Sequence, residues 1–211
     1  MGDDEKLSGR LVIRGDLTGD EPGGYAFGVL KDESAPSELP TIPVVIQALV
    51  APYDKTAEGE LVRALSVPWR RIVNALVEQP GLAFEIPPRT WEEIVAAAFD
   101  AAGYDQVTLT PRSGDLGRDV IAVRRGVGSI RIIGSVKAYR EQHRVRHDDV
   151  RALLGVLFAD PRATKAILST TSSFTPGVYT DPLIQRHVPY RLELMDGSSL
   201  IKWLREAARD R

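Results

Sequence analysis

The chain has 211 residues, 43% of them hydrophobic and 27% charged, the balance of a globular protein with room for one large domain or two small ones. It has no cysteine, so disulfides and cysteine-ligated zinc are excluded, and the acidic opening MGDDEKLSGR is not a secretory signal. The net charge of −2 is split unevenly: residues 1–85 carry 8 Lys+Arg against 14 Asp+Glu, and residues 86–211 carry 19 against 15.

That split assigns different partners to the two halves. The basic half suits a phosphate backbone, whose condensed counterions Lys and Arg release, although +4 over residues 86–211 is also an ordinary excess. No apolar run reaches the roughly 18 residues of a membrane span, so a cytoplasmic protein without a membrane partner is expected.

Along the chain, Arg10–Arg14, Tyr25–Leu30 and Val44–Val50 are short apolar runs between the turn-forming clusters GDLTGDEPGG and KDESAPSELP. They predict a small β-rich acidic unit over residues 1–62, assigned to a target, a partner or a regulator. Ser66–Glu78 reads as a helix within a connecting segment, 63–85, that closes on Pro80-Gly81. From residue 86 to 211 a second domain is expected. Thr90–Ala102 is its first helix, with Thr90 and Glu93 spaced as a capping box and Gly103 as the stop. Strands are predicted at Gln106–Thr110, Asp119–Arg124, Ser129–Ser135, Lys165–Thr170 and Tyr190–Met195. Helices are predicted at Asp148–Phe158, Tyr179–His187 and Ser198–Arg209. The order α-β-β-β-α-β-α-β-α implies an α/β three-layer sandwich with a mixed central sheet.

Asp119 opens one predicted strand, and Lys137 lies 18 positions on, near the end of the neighbouring one. Adjacent strands bring such positions side by side. A carboxylate that holds Mg²⁺ and a lysine that orients water and offsets developing negative charge suit phosphodiester hydrolysis. Taken alone, the pair equally describes a solvated strand end or a surface ion pair.

The surrounding text is more specific. The blocks TWEEIVAAAFDAAGYDQVTLTPRSGDLGRDVIAV, GSVKAYR, VRALLGVL, KAILSTTSSFTPG and LELMDGSSLIKWL follow one another between residues 90 and 204, more than half of the chain. In content and order they resemble the Mrr-like (type IV-related) restriction endonucleases of the PD-(D/E)xK nuclease superfamily. The resemblance implies a restriction-endonuclease-like fold and Mg-dependent (or Mn-dependent) DNA cleavage in bacterial defence. Carried across, Asp119 matches the metal-binding aspartate, Lys137 the catalytic lysine, and Glu92 a helix glutamate lining the site. Asp119, Glu92 and Val136 are the expected metal contacts. Asp115 matches an acid of the preceding turn, which it shapes through an Asx-type bond.

One position departs from the family. Two residues before the lysine the family has Glu or Gln, and here Ser135 stands in Gly134-Ser135-Val136-Lys137. Serine is a weak, neutral ligand for a hard dication. Three outcomes follow: Glu92 supplies the second carboxylate, Ser135 acts through a water, or the site is a relic that binds DNA without cutting it.

Beyond Lys137, Arg140, Arg144 and Arg146 are expected to meet backbone phosphates, alongside Tyr139, His143, His147 and Arg151. Glu141, Asp148 and Asp149 in the same stretch leave open a solvated mixed-charge loop. His143 and His147 have zinc-like spacing but lack further ligands, so zinc is not expected. Thr171 and Ser172, in the hydroxyl-rich string after a buried strand, are further phosphate contacts. No Gly-x-Ser-x-Gly elbow supports a serine nucleophile, and Gly114–Gly117 lacks the Lys-Ser/Thr of a nucleotide loop. Cutting two strands needs two centres or one used twice, which makes a homodimer attractive.

Overall fold

Turn-bounded apolar runs resolve into two sheets in a computed structural model, which describes residues 10–14, 25–30, 44–46, 48–111 and 117–209. The chain divides into two units, at Ala48/Leu49. In the first, β1 (Arg10–Arg14), β2 (Tyr25–Leu30) and β3 (Val44–Ile46) form an antiparallel sheet in that order, with Arg14 opposite Ala26 and Phe27 opposite Val44. The third strand ends at Ile46, short of the predicted Val50. The two turn-forming clusters lie outside the described residues.

The second unit begins with a hairpin, β4 (Val50–Thr56) and β5 (Gly59–Ala64). After it come α1 (Ser66–Glu78), a 3-10 turn, α2 (Pro88–Ala101), β6 (Gln106–Leu109), β7 (Val120–Arg124), β8 (Ile130–Lys137) and α3 (His147–Ala159). The chain continues through β9 (Lys165–Thr170), α4 (Pro176–Thr180), α5 (Pro182–Gln185), β10 (Leu192–Met195) and α6 (Gly197–Arg209). Seven strands form one sheet in the order β10-β9-β8-β7-β6-β5-β4. β8, β9 and β10 are parallel, and the remaining pairs antiparallel, so the sheet is mixed as expected.

Sequence reading placed residues 50–62 with the amino-terminal unit. In the structure β5 pairs with β6, so this hairpin extends the larger sheet instead. The pairing is close: a Cβ at Gly59 would lie 2.3 Å from the Leu109 carbonyl oxygen, and its φ of +144° is one that glycine adopts without strain.

Helices cover both faces. A Cβ at Gly134 would meet Phe99 of α2 at 3.8 Å, and Val120, opposite Gly134, points the same way. Ile133, one residue earlier, enters a core with Leu168 of β9 and Val150, Leu153, Leu154 and Leu157 of α3. Because side chains alternate along a strand, α2 and α3 lie on opposite faces. Burying each such Leu or Phe contributes about 1.5–3 kcal/mol.

Two helix ends differ from the reading. α2 starts at Pro88, ahead of Thr90, with Pro87 as its N-cap and no side-chain cap. Proline at N1 has no N–H to satisfy and a preset φ, so the capping box is not needed, and Thr90 and Glu93 are buried. The single helix expected over Tyr179–His187 is two short ones, broken where Pro182 removes an N–H and Asp181 caps α5 by accepting the Leu183 N–H at 2.9 Å.

Candidate active site

Alternation decides which side chains meet at the rim where β7 begins and β8 ends. Ser135 and Lys137 lie two and four residues beyond Ile133, so both point to the α3 face. Asp119 precedes Val120, which faces α2, and so returns to the α3 face as well. Its N–H donates to the Gly134 carbonyl at 2.9 Å, continuing the β7–β8 ladder and bringing Asp119 alongside Ser135. Asp119, Ser135 and Lys137 therefore share one face of one rim.

The Asp119 carboxylate is fixed at Oδ2, which accepts the Val136 N–H at 2.6 Å, a charge-assisted bond. In an extended strand a residue's N–H and C=O point the same way, so the Val136 carbonyl is also directed toward Asp119. The Asp119 carbonyl accepts from the Thr110 N–H at 3.1 Å and from Thr110 Oγ1 at 3.0 Å. Ser135 is only 4% exposed, which removes its hydroxyl from bulk water. Lys137 is half-buried; its carbonyl accepts from Thr170 Oγ1 at 2.8 Å, and among the described residues its ammonium has no ion-pair partner.

Glu92 is the fifth residue of α2, with a side chain 19% exposed. Its Oε2 accepts from Arg89 at 2.6 Å, and the same guanidinium nitrogen donates to the Thr110 carbonyl at 2.8 Å. The chain of bonds Glu92–Arg89–Thr110–Asp119 brings the start of α2 to the rim. Glu92 is thus partly buried and engaged by Arg89. Asp115 lies outside the described residues. Among those described, no group of three or more His, Cys, Asp or Glu converges on a metal position, so a cation here would draw on carbonyl and hydroxyl oxygens too.

The segment after Lys137 is tied to the sheet. The Val145 N–H donates to the Ser173 carbonyl and its carbonyl accepts the Thr175 N–H, both at 2.9 Å. Thr171 and Ser172 are buried; Thr171 Oγ1 donates to the Tyr139 carbonyl at 2.6 Å and Ser172 Oγ to that of Glu141 at 2.9 Å. Each hydroxyl has one hydrogen, and it is already used, so these residues anchor the segment where sequence reading expected phosphate contacts. The Tyr139 ring packs at a tilt against His143, with centroids 4.2 Å apart, and burial, followed by Asp149, pushes its phenol above the ordinary range. Arg140, Arg144 and Arg146 are exposed, and among the described residues none of them forms an ion pair. Arg151 differs, bonding Asp181 at 2.6 Å.

A charge cluster that sequence reading missed adjoins the rim. Glu58, in the β4–β5 turn, meets Arg131 of β8 at 2.6 Å, Arg162 at 2.8 Å and Arg118 at 3.6 Å. Asp160 meets Arg131 at 2.9 Å, Arg162 at 3.6 Å and Arg118 at 3.8 Å. Burial works to raise the Asp160 carboxyl, but the Arg162 backbone N–H and the Arg131 guanidinium outweigh it and hold the group below its ordinary value. No local spacing links residues 58, 118, 131 and 160, so only the folded sheet reveals this cluster, whereas Arg89 and Glu92 have the i,i+3 spacing of helix neighbours.

Comparison with known proteins adds the family. The restriction endonuclease family model Mrr_cat matches residues 84–204, more than half of the chain. No curated protein matches. Two solved structures are similar: the MspJI restriction endonuclease in complex with a 27-mer oligonucleotide, at 14% identity and TM-score 0.41, and the DNA modification-dependent restriction endonuclease AspBHI, at 17% and 0.45. The match covers 80% of this chain and 36% of MspJI, and 93% of this chain and 56% of AspBHI. Both scores are low, and the fold rests on strand order and the family match.

Proposed function

Given that the chain belongs to the Mrr_cat restriction endonuclease family, we propose that it hydrolyses phosphodiester bonds in DNA with magnesium or manganese. The supporting observation is the shared face of Asp119, Ser135 and Lys137, with the Asp119 carboxylate fixed by the Val136 N–H. The oxygens gathered there suit a hard dication: the Asp119 carboxylate, the Val136 carbonyl, the Ser135 hydroxyl and, after exchange from Arg89, Glu92. Such a cation supplies Lewis acidity at a phosphate oxygen.

The protein's own groups do the rest. The Val136 N–H, bonded to Oδ2, orients the Asp119 carboxylate at the rim. The Lys137 ammonium, without a carboxylate partner among the described residues, donates to a water or to the phosphate as negative charge develops. The water oxygen bonds to phosphorus as the opposite P–O bond breaks, leaving a phosphate monoester and a free hydroxyl. Arg140, Arg144 and Arg146 meet flanking backbone phosphates. Cleavage of both strands is assigned to a homodimer, and sensing of a target, a partner or a regulator to the amino-terminal unit, whose acidic charge argues against its being the main DNA reader.

A second reading has its own support. Ser135 stands where the family has Glu or Gln, and Glu92 is already engaged by Arg89, which favours a nuclease fold that binds DNA without cutting. Methylated and unmethylated plasmid, incubated with Mg²⁺ or Mn²⁺ and the wild-type or Lys137→Ala protein, separates the two. Cleavage lost in the variant supports the enzyme. Cleavage untouched by it removes the mechanism, and salt-sensitive binding without cleavage selects the silent module.

A further inference from the structure

We propose that Glu58 is a positioning residue for Asp119, acting through Arg118, so that the β4–β5 hairpin sets the geometry of the rim. Glu58 lies outside the family-matched residues 84–204. It nevertheless gathers three guanidiniums, from Arg118, Arg131 and Arg162. Two of these hold structure at a distance from the site: Arg131 joins β8 to Asp160 at the end of α3, and Arg162 lies on the loop beyond it, 66% exposed.

Arg118 is different because it is the residue before Asp119. Its side chain is 16% exposed and sits between Glu58 and Asp160. Its carbonyl accepts from Thr110 Oγ1 at 2.5 Å, the hydroxyl that also reaches the Asp119 carbonyl. Arg118 is thus fixed at both ends, by Thr110 through its backbone and by the acidic pair through its guanidinium. Together these anchors set the direction in which the chain enters β7, and hence where the Asp119 carboxylate meets the Val136 N–H. The Glu58–Arg118 contact is long, so it depends on charge more than on hydrogen-bond geometry. A neutral isostere at 58 weakens it while still accepting from Arg131.

The catalytic consequence rests on the nuclease reading; the positional one does not, and the test separates them. Amide hydrogen exchange is measured by NMR for Thr110, Asp119 and Val136, referenced to Leu153 and Leu168, in wild type, Glu58→Gln, Arg118→Met and Arg162→Ala. Plasmid cleavage with Mn²⁺ is followed in parallel. Glu58→Gln and Arg118→Met are expected to speed exchange at the three rim amides at least tenfold over the reference amides, and to lower turnover at least tenfold with KM unchanged. Arg162→Ala is expected to lower Tm without either change. Rim amides in Glu58→Gln and Arg118→Met that exchange as in Arg162→Ala would overturn the inference and leave Glu58 a stabilising residue only. Wild-type protein that leaves plasmid intact, with the rim response present, upholds the positioning role while the nuclease reading fails separately.

Discussion

Two charged regions of the larger unit are built on opposite terms. Around Glu58 and Asp160 every guanidinium has a carboxylate, and the cluster joins a hairpin turn, the start of β7, β8 and the loop after α3. Around Lys137 the reverse holds. The side chains of the lysine, Arg140, Arg144 and Arg146 form no ion pair among the described residues. Matched charges in partly buried surroundings fix positions, because removing one partner strands the other. Unmatched cations at a rim leave a field for an anion from outside. The contrast assigns stability to the first region and ligand contact to the second.

The sharpest way to break this contrast is at Lys137. Lys137→Ala is expected to cut the rate of plasmid cleavage about 10²–10³-fold, the usual loss for one transition-state donor, with Tm unchanged in a melting scan. Arg131→Met should do the opposite, leaving DNA affinity intact while costing about 1.5–3 kcal/mol in urea unfolding, since it removes the shortest contact of both Glu58 and Asp160. Replacing Arg140, Arg144 and Arg146 with alanine should weaken DNA binding and flatten the dependence of log K on log salt by about 0.9 per lost phosphate contact. An unaltered slope would move the DNA path elsewhere.

The smallest effect is in pH. The folded Asp160 carboxyl lies below its ordinary 3.8, so the unfolded chain binds a proton more readily there. Its contribution is complete above that ordinary value and is lost as pH falls through the lower folded one. Asp160→Asn should therefore flatten the acid limb of a Tm-against-pH curve below about pH 4. A variant curve parallel to wild type in that range would remove Asp160 from the cluster's energetics.

How far the sequence reveals all this depends on the range of the interactions. The rim was legible because period-two alternation puts Asp119, Ser135 and Lys137 on one face once β7 and β8 are recognised as neighbours. The family resemblance supplied the same residues, and the match over 84–204 bears out the family. The β4–β5 hairpin was not legible as part of this sheet. Most of β4 is exposed, and the strand carries Pro52 with a register shift beside it, so the run lacks the apolar alternation that announces a sheet member. Thr171 and Ser172 misled for another reason. A string of hydroxyls reads the same whether its hydrogens face solvent or the carbonyls of Tyr139 and Glu141, and only the fold decides. Arg89, the second residue of α2, stands three positions before Glu92, the spacing of a helix ion pair; its bond changes what that glutamate can offer a cation.

The pairing of β5 with β6 has a practical corollary for anyone excising the catalytic portion. A fragment begun at residue 84, where the family match starts, would strip the two outermost strands and bare the hydrogen-bonding margin of β6, beside the buried Val107 and Leu109. Such a margin invites self-association. An excised form of the larger unit therefore has to start no later than Leu49, where that unit itself begins.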